Sequence, residues 1–188
     1  MGKHILAAVA YTLLTTSAIA RELAGVTVPD TVTLGDQHAL VLNGAGIRSK
    51  FFVKVYVGAL YLTTRTNDAD AVLRHTGPVA MHMHMLHSEV SKEKLVKGWN
   101  EGFDANLNDA ERTALGPRIE TFNNMFTTAR KGDVIRLDYQ PGRGTAVTIN
   151  NEPRGTIEGE DFMHAWLRIW LGKHPADSGL KKGLLGTN

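Results

Sequence analysis

The stretch from Phe51 to Leu62 constrains the fold of this 188-residue chain more than any other segment. Eleven of its twelve residues are apolar, aromatic or glycine, and the exception is Lys54. Its β-branched and aromatic residues are typical of a β-strand. Since both alternating sets of residues are apolar, we expect other elements to cover both faces of this strand. Arg48 stands just upstream, where a charge beside buried surface costs free energy unless an anionic or polar group meets it.

Composition indicates an ordinary globular protein with one domain and a sizeable core, at 43% hydrophobic and 21% charged residues. The formal net charge of +2 is spread without basic blocks, so there is no electrostatic case for nucleic-acid binding. Absence of cysteine excludes disulfides, thiolate metal sites and cysteine nucleophiles. The glycines at Gly44 and Gly46 lack the third glycine and following helix of a dinucleotide motif, and we expect no cofactor.

The first twenty residues have the pattern of an export signal. Lys3 precedes an apolar stretch from Ile5 to Leu14, and the segment closes on the small-x-small pattern Ala18-Ile19-Ala20. We therefore predict a signal peptide at 1–20 and a mature domain at 21–188, periplasmic or secreted and without a membrane span. A retained membrane anchor and a buried N-terminal helix are the alternatives.

Periodicity and capping residues predict antiparallel runs of strands with helices grouped between them, which is an α+β fold. Short strands joined by turns are expected between 26 and 48, where Pro29, Gly35 and Gly44 suggest the turns. Further strands are expected at 51–62, 79–86 and 133–157, with turns at 141–144 and 150–151. Helices are expected at 68–75, at 91–106, at 109–131 with a break or bend near Gly116-Pro117, at 159–171 and at 176–186.

The segment "MHMHMLH" from Met81 to His87 is the strongest metal-like pattern. In a strand, His82 and His84 share one face while the methionines occupy the other. Two imidazoles could hold copper or zinc if a third ligand joined them; the candidates are His87, His75, His38 and His164. We favour a half-exposed strand with histidines outward and methionines packed inward, and predict no metal site.

Arg48 is the remaining candidate, since no carboxylate pair or nucleophile motif supports hydrolytic catalysis. Its guanidinium stays charged and offers a planar fork of donors, suited to binding a carboxylate or polarising a carbonyl. Residue chemistry alone leaves open that Arg48 is a solvated turn residue or pairs with an acidic side chain of its own fold.

Two segments resemble a known family. "LNGAGIRSKFFVKVYVGALYL" and the C-terminal "EDFMHAWLRIWLGKHPADSGLKKGLLG" are similar to the chalcone isomerase superfamily, in particular its bacterial chalcone isomerase-like branch. The resemblance implies an open-faced β-sandwich, with a large antiparallel sheet, a helical layer on one face and a ligand cleft between them.

The superfamily contains isomerases and fatty-acid-binding proteins, and the resemblance implies site residues for each of these two functions. Arg48 matches the shared arginine, and Tyr61 matches the tyrosine that holds a fatty-acid carboxylate with it. At the other isomerase positions stand four residues that differ from the catalytic ones: Tyr56, Ser91, Gly98 and Ile169. Because positioning supplies much of a rate enhancement, an isomerase that keeps only its arginine should be poor.

We therefore expect a non-catalytic protein that binds a small apolar acid or lipid, such as a fatty acid, through Arg48, Tyr61 and possible help from Tyr56. The alternatives are an intramolecular lyase or isomerase acting on an enone, with Arg48 as the catalytic residue, and an envelope interaction domain without ligand. In a flat strand Arg48 and Tyr61 have opposite parity. A bulge at Gly58, or between Arg48 and Phe52, is expected if they act together. The sequence does not fix the oligomeric state.

Overall fold

A computed structural model describes residues 20–35 and 38–187 of the chain. The predicted signal peptide lies outside the described residues, except for Ala20. Within the described part, no helix is both long enough and apolar enough to cross a membrane.

Eleven strands and five helices make up the described residues. The strands are β1 (Ala20–Leu23), β2 (Val26–Pro29), β3 (Thr31–Leu34), β4 (His38–Lys50), β5 (Val53–Leu62), β6 (Val79–Met85), β7 (Glu89–Val90), β8 (Ala129–Arg130), β9 (Val134–Gln140), β10 (Gly144–Ile149) and β11 (Glu152–Ile157). The helices are α1 (Ala69–Leu73), α2 (Lys92–Asn106), α3 (Asp109–Asn124), α4 (Glu160–Leu171) and α5 (Ser178–Leu184). Asp68 and Ser91 cap α1 and α2, as their positions in the sequence predict.

Seven strands form one antiparallel sheet in the order β11-β10-β9-β6-β5-β4-β3. Two small ribbons, β1–β2 and β7–β8, lie outside it. The large sheet and its helices confirm the predicted α+β class, and β5 occupies an interior position between β4 and β6.

Both faces of the sheet are covered around β5, as its apolar composition predicts. On the helical face, Tyr56 and Leu60 join a core that includes Trp99 of α2 and Trp170 of α4. On the opposite face, a smaller cluster includes Val28 of β2 together with Leu40, Val57, Ala59 and Tyr61. Alternation along β5 thus sends successive side chains into two different cores.

The strand predicted at 51–62 begins two residues later than expected. Phe51 and Phe52 form the turn between β4 and β5, with φ angles of 49° and 65°. Lys50 pairs with Val53 directly across this two-residue turn, and both phenylalanines are exposed. Hairpin geometry overrides their strand propensity because a two-residue turn of this hand requires positive φ at both positions.

Two other predicted boundaries are wrong for packing reasons. Gly44 lies inside the continuous strand β4 and not in a turn. A Cβ at this position would lie 2.2 Å from the carbonyl oxygen of Gly183, so glycine is needed here for α5 to pack closely against the sheet. Helix α3 is not broken at Pro117, and burial of Leu115 and Ile119 on its core face offsets the hydrogen bond that proline cannot make. It ends at Asn124, earlier than predicted, and Ala129–Arg130 form β8.

Candidate functional site

Arg48 lies in β4 on the helical face of the sheet, so it is not a turn residue. It pairs with Tyr56 of β5, and its guanidinium carbon lies 5.7 Å from the centre of the Tyr56 ring. The register shifts just beyond this pair, where Ser49 faces Lys54 and Val55 is the extra residue. The predicted bulge between Arg48 and Phe52 is therefore present as a register shift at Arg48/Ser49, with its extra residue on β5, and it interrupts regular pairing beside the arginine.

The Arg48 guanidinium has no anionic partner within the described part of the chain. Among the described residues no carboxylate lies within 4.0 Å of it, and its Nε atom is buried without a hydrogen-bond acceptor. Asp177 is an acidic residue of this region, and its carboxylate accepts from the backbone N–H of Ser49 at 3.0 Å and of Leu180 at 2.8 Å. Glu89 and Glu101, which line the outer cavity with Arg48, pair with Arg130 and Lys97. A buried donor without an acceptor is costly, by about 1–3 kcal/mol.

Tyr56 presents a hydroxyl beside this guanidinium. The indole Nε1 of Trp170 donates to the Tyr56 oxygen at 2.8 Å, which leaves the phenolic proton available to another acceptor. Burial raises the pKa of Tyr56, against the lowering effect of Arg48, so the group is a neutral donor near pH 7. The helical spacing of Trp166 and Trp170 predicts a buried face of α4, but the hydrogen bond to Tyr56 is not foreseen.

Two adjoining cavities meet at Arg48, between the β4–β5 hairpin and α2. The outer cavity has a volume of about 460 Å³, and its walls combine apolar side chains with lysine stems: Phe51, Val53, Val55, Val90, Lys50, Lys94 and Lys97. The inner cavity, of about 40 Å³, reaches Tyr56, Met83 and Trp99. The indole N–H of Trp99 is also buried without a partner. The sequence does not predict that α2 forms one wall of the outer cavity, because lysines on a helix are typical of a solvent-exposed face.

Three of the four positions that the family resemblance assigns to isomerase chemistry reach the inner cavity. Tyr56, Gly98 and Ile169 line it with Arg48, whereas Ser91 is the N-cap of α2 and its Oγ accepts from the N–H of Lys94 at 3.4 Å. Gly98 and Ile169 have no side-chain polar atom, so the nitrogen and oxygen donors of this cavity's side chains come from Arg48, Tyr56, Lys94 and the indole N–H of Trp99.

The structure does not bring Tyr61 to Arg48. Tyr61 pairs with Leu42 and Ala80 and belongs to the cluster on the opposite face of the sheet. The bulge at Val55 precedes Tyr56, so it leaves the alternation between Tyr56 and Tyr61 unchanged. The paired site expected from the sequence is therefore replaced, in geometry, by Arg48 with Tyr56.

We expect Tyr61→Phe to stabilise the protein slightly. The Tyr61 hydroxyl is fully buried and has no hydrogen-bond partner among the residues that the structure describes. Burial raises the pKa of Tyr61 well above its ordinary value. Removal of this unsatisfied group should raise the free energy of unfolding by about 1 kcal/mol. Urea denaturation checks this, and a loss of stability would mean that the hydroxyl has a partner in solution.

The histidine pattern splits across the sheet as expected, with one correction. Met81 and Met83 pack into the helical core, and the histidines project to the other face, but His82 is buried and not half-exposed. Its Nε2 lies 3.0 Å from Oδ1 of Asp138, and its ring lies 5.0 Å from that of Tyr61. Among the described residues, no group of three or more His, Cys, Asp or Glu side chains is placed to hold a metal.

His84 should make stability depend on pH. Burial lowers its pKa, with a further lowering from His82, and its Nε2 is buried without a partner. Below about pH 6.5 the unfolded chain binds a proton that the folded chain does not, so stability falls as the pH falls from there towards the folded pKa. We expect His84→Gln to flatten this loss in urea titrations between neutral and mildly acid pH. An unchanged slope would contradict the assignment.

Comparison with known proteins agrees with this architecture. Residues 20–186 match the profile of the family described as chalcone isomerase-like. A solved fatty-acid-binding protein of Arabidopsis thaliana superposes with a TM-score of 0.68 at 13% identity, over 90% of this chain and 96% of that one. The chain matched none of the curated proteins with which it was compared. The chain belongs to the chalcone isomerase-like family.

Proposed function

We propose that this chain is a binding protein without catalytic activity, and that it holds a small apolar carboxylate such as a fatty acid in the cleft at Arg48. The Arg48 guanidinium receives the carboxylate, and the Tyr56 hydroxyl donates to the same group. The acyl chain lies in the outer cavity, between the β4–β5 hairpin and α2.

The unpaired guanidinium is the observation that carries this proposal. Arg48 is a cation at the edge of a core, its Nε is buried without an acceptor, and the nearby Asp177 carboxylate is engaged by two backbone N–H groups. A ligand carboxylate satisfies these donors with charge-assisted bonds of about 2.7–2.9 Å. An internal ion pair, which would have favoured an interaction domain without ligand, is absent among the described residues.

Cavity size and lining support a ligand with a substantial apolar part. The outer cavity, at about 460 Å³, is within the range of about 300–1,000 Å³ usual for small-molecule sites. Desolvating an ion pair costs several kcal/mol, and burial of each methylene contributes roughly 0.8 kcal/mol in return. A long-chain acid can supply that compensation, whereas acetate cannot.

The structural likeness supports the same choice of ligand. The Arabidopsis protein that shares this fold is a fatty-acid-binding protein, and its likeness extends over most of both chains. At 13% identity this likeness concerns the fold, so the ligand class for the present chain rests on the chemistry of Arg48, Tyr56 and the apolar walls.

The chemistry of the inner cavity argues against efficient isomerisation. An enone substrate needs groups that orient it as well as an electrophile, and Gly98 and Ile169 offer no polar side chain there. A spectrophotometric assay with chalcones decides between the two functions. Turnover well above the spontaneous rate that disappears in Arg48→Ala would establish the enzyme instead.

We also propose that residues 1–20 act as an export signal, so that this binding function belongs to the periplasm or the cell exterior. Native mass spectrometry of protein isolated from that compartment, followed by denaturation, identifies any released ligand. We expect a long-chain acid from the wild type and much less from Arg48→Met. If nothing is released and added fatty acids do not bind, the proposed function is wrong.

A further inference from the structure

We propose that the turn between β4 and β5 is a membrane-docking tip, which inserts into an anionic lipid surface so that the Arg48 cavity can exchange fatty acid with the bilayer. The tip is defined as Lys50, Phe51, Phe52, Val53 and Lys54. This inference rests on the proposed function, and it adds the source of the ligand and the surface that collects it.

Exposure of the tip is the first observation. Phe51 and Phe52 are 85% and 105% exposed and Val53 is 45% exposed, and these three are the large hydrophobic residues that stand out as exposed in the described part of the chain. Three contiguous apolar side chains at a projecting turn form a patch of the kind that marks a protein or membrane contact. Aromatic side chains are favoured at the boundary between headgroups and acyl chains.

Backbone strain at the tip is the second observation. Both phenylalanines have positive φ, at 49° and 65°, in a two-residue turn that favours Asn-Gly. Bulky residues in that region cost free energy, and such strain is associated with functional sites. The turn holds the two rings outward, where neither contributes to the core.

Charge selects a lipid surface over an apolar protein partner. Lys50 and Lys54 flank the aromatic pair, and Lys94 and Lys97 lie along the adjoining wall of the outer cavity. The two glutamates of that wall are paired, Glu89 with Arg130 at 3.0 Å and Glu101 with Lys97 at 3.8 Å, so Lys50, Lys54 and Lys94 supply the excess positive charge around the tip. Lysines around an inserted apolar tip attract anionic headgroups.

The position of Arg48 fits this docking. Arg48 is three residues from Phe51 along β4, a distance of about 10 Å at roughly 3.3 Å per residue. Interfacial elements bury their apolar face about 5–10 Å into the boundary region. Insertion of the tip to that depth brings Arg48 to the level of the headgroups, where the carboxylate of a membrane fatty acid lies. Lys50, Phe51 and Val53 also line the outer cavity, so the cavity borders the inserted tip.

Vesicle flotation tests the inference with the full mature chain. Vesicles of phosphatidylcholine alone are compared with vesicles that also contain phosphatidylglycerol, at low and high salt. We expect binding to the anionic vesicles that weakens with salt, because exposed charges are screened. Phe52→Trp adds a direct readout: the new tryptophan is exposed, unlike the buried Trp99, Trp166 and Trp170, so insertion gives a blue shift and quenching by brominated lipid.

The decisive variant is Phe52→Gly combined with Lys54→Glu, since neither residue lines either cavity. We expect binding to anionic vesicles to fall by about tenfold or more, while the melting temperature does not fall, because glycine accepts the positive φ. Palmitate binding in solution should be unchanged, whereas transfer of palmitate from vesicles should slow and lose its dependence on vesicle concentration.

Each contrary result has a distinct meaning. Equal vesicle binding by wild type and variant, or no binding by the wild type, overturns the docking tip. Self-association of the wild type that the variant abolishes also overturns it, in favour of a contact between copies. If the wild type does not bind palmitate in solution, the proposed function is wrong. Vesicle flotation does not depend on that result and still tests whether the tip docks on a membrane.

Discussion

Replacement of Arg48 by methionine is expected to weaken fatty-acid binding by roughly thirty- to four-thousandfold. This range corresponds to the loss of about 2–5 kcal/mol when one partner of a desolvated charge pair is removed. Methionine keeps much of the apolar stem, so the wall of the cavity changes little. Titration of palmitate by calorimetry or by displacement of a fluorescent acid measures the effect.

Two controls separate the charge at Arg48 from charge in general. Arg143→Met removes an exposed arginine at the turn between β9 and β10, and it should leave affinity unchanged. The methyl ester of palmitate should bind wild type and Arg48→Met equally weakly, because it lacks the charge that Arg48 meets. If Arg48→Met binds palmitate as well as the wild type does, Arg48 is not the anchor.

Substitution of Gly44 by alanine is expected to destabilise the protein strongly for a change of a single methyl group. The added Cβ would lie 2.2 Å from the Gly183 oxygen and 2.6 Å from the Leu184 oxygen, both backbone atoms of α5. Neither can move without separating α5 from the sheet. We expect the free energy of unfolding to fall by about 1–3 kcal/mol or more, and the melting temperature by about 2–4 °C per kcal/mol.

Gly98→Ala is the matched control for this substitution. Gly98 lies inside α2, and a Cβ there would meet nothing within 4 Å beyond its chain neighbours and the backbone of its own helix. Alanine in a helix interior is favoured over glycine by about 1 kcal/mol, so this variant should be more stable than the wild type. Equal stability of Gly44→Ala and wild type would contradict the close packing of α5 against β4.

Local patterns in the sequence were sufficient to predict most elements. The caps at Asp68 and Ser91 and the helical spacing of α4 depend on neighbours within a few residues, and the structure confirms them. The errors arose where distant parts meet. Gly44 has the local pattern of a turn residue, and its contact with α5 depends on a distant part of the chain. Pro117 has the local pattern of a helix break, and the burial of the core face of α3 depends on tertiary packing.

The site was predictable in part for the same reason. Arg48 is a candidate from the sequence because a cation precedes an apolar strand. That its buried Nε has no acceptor among the described residues depends on tertiary packing, which the sequence does not show. Tyr61 was paired with Arg48 through family resemblance, and the uninterrupted alternation from Tyr56 onward sends it to the other core. Trp170, which donates to Tyr56, comes from α4, more than a hundred residues away in the chain.

Binding at Arg48 is tested most directly by ¹³C NMR of palmitate labelled at its carboxyl carbon, titrated with pH while bound to residues 21–188. We predict that the Arg48 guanidinium lowers the pKa of the bound carboxyl below that of the acid in water, because it favours the ionised form. The lowered pKa should disappear in Arg48→Met and persist in Tyr61→Phe. A bound carboxyl that titrates like the free acid in all three proteins would contradict a carboxylate anchored at Arg48.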